Sequence, residues 1–145
     1  MGFAEVQSEL EIEFKNPDLL HEALTHVSCL NEPSLGYKRH NEALAWIGDA
    51  LIHWVVSESV YWYERSTKEL HNRREKYVNK VFLAELAVKL RLDKALIMPE
   101  GQVKEGGRAN ERNLHTVFEA IVGAIFKDQG FEVAERFVID KLFVE

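Results

Sequence analysis

The chain has 145 residues, 46% hydrophobic and 29% charged, a size and balance that suit one globular domain and exclude a disordered tail. A net charge of −6 and a pI near 5.6 argue against a molecule that grips nucleic acid over its whole surface, so any RNA contact needs a local basic face. The single cysteine, Cys29, excludes an internal disulfide and a cysteine-based zinc site, and the six histidines lack the close paired spacing of a zinc-binding helix.

Residues 1–13 carry Glu5, Glu9, Glu11 and Glu13 and no Lys or Arg, unlike a secretory signal or an Arg-rich transit peptide. No apolar run approaches the roughly 20 residues that span a bilayer. The expectation is a soluble intracellular protein, of cytoplasm or organelle matrix, with no membrane partner. No repeat or Pro-rich linker interrupts the sequence, so 1–145 reads as one domain. Asn16-Pro17-Asp18 opens a helix predicted over about Leu19 to Cys29, with Pro early in its first turn. Asn31 to Gly36 reads as a loop.

A long helix is predicted over about Arg39 to Tyr63, with Leu44, Ile47, Leu51 and Val55 on one face. Its apolar centre, Trp46 to Val56, predicts burial on most sides, with Trp54 as a core residue. Ser66-Thr67-Lys68-Glu69 resembles a capping box with Ser66 as N-cap. The helical pattern then runs through Val78, Val81, Phe82, Leu86 and Leu90 toward Arg91. Pro99 to Gly107 reads as a loop. The last two helices are predicted over about Arg112 to Gln129 and Val133 to Phe143, separated by Gly130. No alternating strand pattern stands out, and the fold class is all-α.

Two acids lie inside apolar helices: Asp49 in Ala45-Trp46-Ile47-Gly48-Asp49-Ala50-Leu51 and Glu119 in Val117-Phe118-Glu119-Ala120-Ile121. Asp is a poor helix-interior residue, and a buried carboxylate needs a partner: a metal ion, an Arg or backbone donors. A purely structural role is the commoner outcome for such a residue. Two helices each presenting one acid beside a small residue favour a shared site.

Asn41-Glu42-Ala43-Leu44-Ala45-Trp46-Ile47-Gly48-Asp49-Ala50-Leu51 resembles the signature helix of ribonuclease III. Phe14 to Leu20, leading to Ala23-Leu24-Thr25-His26, resembles that family's first helices, and Leu70 to Val78 resembles the segment after the signature. Gly106-Gly107-Arg108, followed by Phe118 to Phe126, resembles its second acidic motif. The resemblance covers nearly the whole chain and implies the helical bundle of the ribonuclease III endonuclease domain; within 145 residues no separate double-stranded RNA-binding domain, such as many relatives carry, is expected. It also implies double-stranded RNA cleavage with Mg2+ (or Mn2+) held by four acidic side chains, two from each of two helices.

Mapped onto this sequence, the catalytic and metal positions retained are Asp49 and Glu119, with Glu42 as a supporting outer group. Ala45 stands where the family has Glu, and Thr116 where it has Asp. Weak or absent metal binding, and slow or absent cleavage, are therefore expected. An engineered Ala45 would leave Thr116 unexplained. Whether the chain is an enzyme stays open with two of four acidic positions filled.

Basic residues cluster at Lys68, Arg73, Arg74, Lys76 and Lys80, and at Lys104, Arg108 and Arg112, each group with acids nearby. Arg74, Arg108 and Lys80 are the candidates for RNA, and contacts to A-form phosphates and 2′-hydroxyls would read shape rather than sequence. Family members pair through their signature helices, and Trp46 matches an aromatic that docks on the partner, so a homodimer or a heterodimer with a related domain is implied. The leading expectation is a weakened ribonuclease III-like domain that binds double-stranded or structured RNA in RNA processing or a ribosome-type ribonucleoprotein. The alternatives are an active endoribonuclease and a protein-interaction scaffold without RNA.

Overall fold

Polar caps decide where the helices begin. In the computed structural model, which describes residues 1–144, the Asn16 carboxamide oxygen accepts from the Asp18 N–H at 3.0 Å and opens α2, Pro17–Leu24. Ser66 Oγ accepts from the Glu69 N–H at 3.4 Å and opens α4, Thr67–Val78. Asn79 Oδ1 does the same for α5, Lys80–Lys89, and Asn110 Oδ1 for α8, Glu111–Gln129. The remaining helices are α1, Phe3–Leu10; α3, Glu42–Tyr61; α6, Leu92–Ala95; α7, Glu100–Lys104; and α9, Phe131–Leu142. The all-α expectation holds: the described residues contain no strand beyond one isolated bridge.

The centre of the bundle is α8, buried without a break from Val117 to Ile125. A stretch buried on every side has to be enclosed, and α2, α3, α5 and α9 enclose it. The most extensive pairing is with α3, and two glycines set its closeness. A Cβ on Gly48 would strike the carbonyl oxygen of Glu119, and one on Gly123 would strike that of Leu44. Backbone therefore meets backbone at the crossing, and the residues beside each glycine are brought together.

Four expectations need correction. The second helix stops at Leu24 instead of reaching Cys29, because Thr25 turns extended and pairs in parallel with Ile97. Ile97 N–H donates to Leu24 O at 2.8 Å and His26 N–H to Ile97 O at 2.9 Å, bonds across some seventy residues that no local window contains. Cys29 lies in the 3₁₀ turn that follows, Val27–Asn31. The pattern from Ser66 to Arg91 is two helices, not one. Asn79 is extended (ψ 149°), its side-chain N–H donating back to Glu75 O while its oxygen caps α5. The stretch after Pro99 holds the short helix α7. Finally, α3 is open on one side: Trp54 is 55% exposed and Trp46 77%.

The chain's two ends are tied together. The Asp128 carboxylate, near the end of α8, accepts from the Lys15 and Asn16 N–H groups at 2.8 and 2.9 Å. Burial pushes its carboxyl up, but these backbone donors outweigh that and hold it below the usual aspartate range.

Candidate functional site

Asp49 follows Gly48 on α3, and Glu119 is the residue whose carbonyl lies against Gly48, so the glycine crossing puts the two acids side by side. Between them lies an ammonium group. Lys80 Nζ is 3.2 Å from Asp49 Oδ1 and 3.0 Å from Glu119 Oε2. Two imidazoles complete the cluster: His115 Nδ1 is 3.0 Å from Glu119 Oε1, and His53 Nε2 is 3.7 Å from Asp49 Oδ1. Glu119 is 4% exposed, whereas the Asp49 and Lys80 side chains reach the surface.

The two acids titrate apart. Burial raises the Glu119 carboxyl, its hydrogen bond to Asp49 raises it further, and the nearby ammonium offsets only part, leaving it at about 8. Asp49 feels burial as well, but the Glu119 hydrogen bond and Lys80 outweigh it and lower its pKa. Lys80 is partly desolvated, yet its two acidic neighbours raise its pKa. Burial and the positive Lys80 lower His115. Of the two acids, Glu119 is therefore the one that keeps its proton to higher pH.

The other sequence candidates lie at different distances from this centre. Ala45, one turn before Asp49, is buried and offers a methyl group. Thr116 is half-buried, and with the exposed Glu42 it lines a polar cleft of about 410 Å³ that also includes Asn41, Arg112 and Asn113. Arg74 donates to Ser57 Oγ at 3.0 Å and contacts His71 Nδ1 at 2.9 Å, pinning α4 to α3. Arg108 donates to the carbonyls of Asp93, at 3.0 Å, and Leu96, at 2.7 Å, closing the C-terminal end of α6. Lys80, read from the sequence as an RNA contact, has its ammonium in the acidic pair. Sequence reasoning passed over His53 and His115, although each lies four residues from its acid, a spacing that puts both on one helix face.

The family described as Ribonuclease-III-like matches residues 16–145. The chain belongs to that family. It is 39% identical over 139 residues to ribonuclease 3 of Bdellovibrio bacteriovorus, an overlap of 94% of this chain and 59% of that protein. Against ribonuclease 3 of Desulforamulus reducens the identity is 37% over 139 residues, 94% of this chain and 56% of the relative. The chain thus spans rather more than half the length of these curated relatives.

Two solved structures of the nuclease domain of ribonuclease III from Campylobacter jejuni share the fold. Their TM-scores are 0.86 and 0.84, at 31% and 30% identity. They cover 98% and 99% of this chain, and it covers 99% and 97% of theirs. One of them is described for structural flexibility in a region involved in dimer formation.

The residues present do not fit the magnesium centre that the ribonuclease III resemblance implies. Among the described residues, no group of three or more His, Cys, Asp or Glu side chains could hold a metal ion. Magnesium demands near-octahedral oxygen ligation, whereas here three of the four oxygens of Asp49 and Glu119 already meet nitrogens of the chain. No helix among the described residues is long and apolar enough to cross a membrane.

Proposed function

We propose that this chain is a ribonuclease III-type domain that binds double-stranded or structured RNA, works as a pair, and cleaves slowly or not at all. The observation that carries the reading is the pair of replacements, Ala45 and Thr116, on the same two helices as Asp49 and Glu119. A methyl and a hydroxyl remove two negative charges from a site that would have to neutralise a divalent ion beside a phosphodiester. Metal binding is weak or absent in consequence. Asp49 and Glu119 are the remnant of a four-acid catalytic site, with Glu42 outside it, and Arg74 and Arg108 are the candidates for RNA contact. The exposed Trp46 supports pairing through α3, with a second copy or a related domain.

The names of the relatives, ribonuclease 3, support a second reading in which the chain is itself a metal-dependent endoribonuclease, alone or beside a fully acidic partner. Incubation with long double-stranded RNA in magnesium, and then in manganese, separates the two. The unmodified chain is expected to leave the RNA intact and the Ala45→Glu/Thr116→Asp variant to cut it. Cleavage by the unmodified chain that vanishes in Asp49→Asn would establish the second reading instead.

A further inference from the structure

The Lys80 side chain stands in a place its own helix does not favour. It is the first residue of α5, where the unpaired N–H groups and the helix dipole favour anions, and that first turn carries no acid. What holds the ammonium there is outside the helix: Asp49 Oδ1 at 3.2 Å from α3 and Glu119 Oε2 at 3.0 Å from α8. The start of α5 is itself fixed by the Asn79 cap, whose oxygen accepts from Phe82 N–H at 2.8 Å. Lys80 is therefore delivered to the acids from a rigid corner, and it joins three helices by one cation.

A divalent ion bridging the same acids would have to displace this ammonium. The displaced lysine, anchored only a few ångströms away, would then repel the ion. The third carboxylate oxygen, Glu119 Oε1, is engaged by His115 at 3.0 Å, and Ala45 supplies no replacement oxygen one turn away.

We propose that the Lys80 ammonium is the resident cation of the Asp49–Glu119 pair, taking the structural place of a metal ion, so that this domain folds and engages RNA without one. The fold half of this inference stands on the geometry alone; its RNA half rests on the proposed RNA-binding function. The chemistry is charge substitution: one covalently tethered monovalent donor satisfies two acids that a hydrated dication would otherwise bridge. The cation cannot be lost to a chelator, and it supplies no activated water.

The test uses the whole unmodified chain first. Paramagnetic Mn2+ added at millimolar concentration should leave the amide signals around Asp49 and Glu119 unbroadened, and melting in EDTA and in excess Mg2+ should coincide. Selective broadening at those residues, or a clear rise in melting temperature with Mg2+, would overturn the proposal. Lys80→Met should melt lower in EDTA and bind Mn2+ about tenfold or more tightly than the parent, because a repelling charge is gone. An unchanged melting temperature in that variant would also overturn it. If Lys80→Met does not fold, the measurements on the unmodified chain decide alone. Gel shift with double-stranded RNA should give equal affinity in EDTA and in Mg2+. Absence of binding in both would sink the RNA function and leave the resident cation standing, whereas binding only in Mg2+ would sink the resident cation.

Discussion

The inward and outward faces of α3 use residues of similar apolarity to opposite ends. Inward, Leu44, Gly48, Ile52 and Val55 are buried, and the glycine brings α3 and α8 into backbone contact. Outward, Trp46, Trp54 and Tyr61 stand at 77%, 55% and 50% exposure, with Trp62 just past the helix end at 65%. Large side chains on one face and a missing side chain on the other show that apolarity alone does not assign an interior. Closeness of the neighbouring backbone does. The acids follow the same division: Glu119 comes from the buried helix and Asp49 from the edge of the open one.

The largest effect that would break this comparison comes from Gly48→Val. Its side chain would meet the Glu119 carbonyl, forcing the helices apart, and a loss on the order of 3–5 kcal/mol in denaturant melting is expected. A loss under about 1 kcal/mol would mean that the crossing can relax.

The next effect is on pH. Because the folded Glu119 carboxyl lies at about 8 rather than 4.5, its contribution to stability is full below pH 4.5 and is lost as pH rises through 8. Glu119→Gln keeps the shape without the titration. It should match the parent at about pH 4 and exceed it progressively as pH rises to about 8, by on the order of a few kcal/mol at the plateau. Equal pH profiles for the two proteins would show that folding leaves the Glu119 carboxyl unshifted.

The smallest effect on the fold is expected outside. Trp46→Ser/Trp54→Ser should change monomer stability by only about 0.5 kcal/mol. It should also weaken self-association in sedimentation velocity, if α3 is the pairing face. A loss of several kcal/mol would place these tryptophans in the core after all.

Much of the fold was legible because its signals are local. The caps at Asn16 and Ser66, the glycine after Gln129, and the apolar centres of α3 and α8 are read from neighbouring residues, and the last two helices lie within two residues of their predicted ends. The ordered motifs that match the ribonuclease III family are likewise a property of the string, as is the absence of acids at 45 and 116. Periodicity also marks which residues share a side of α3, but it contains nothing about which side receives a neighbour, and so Trp54 lies outside the core that the pattern predicts for it.

The sequence alone therefore determined the all-α class, the cores of the long helices, the family and which acids remain. Only the tertiary structure decided what those acids touch. Lys80 lies 31 residues from Asp49 and 39 from Glu119, and nothing local marks it as their partner. A cation's place is set by the summed field of charges from several helices, and that field exists only once α3, α5 and α8 are packed.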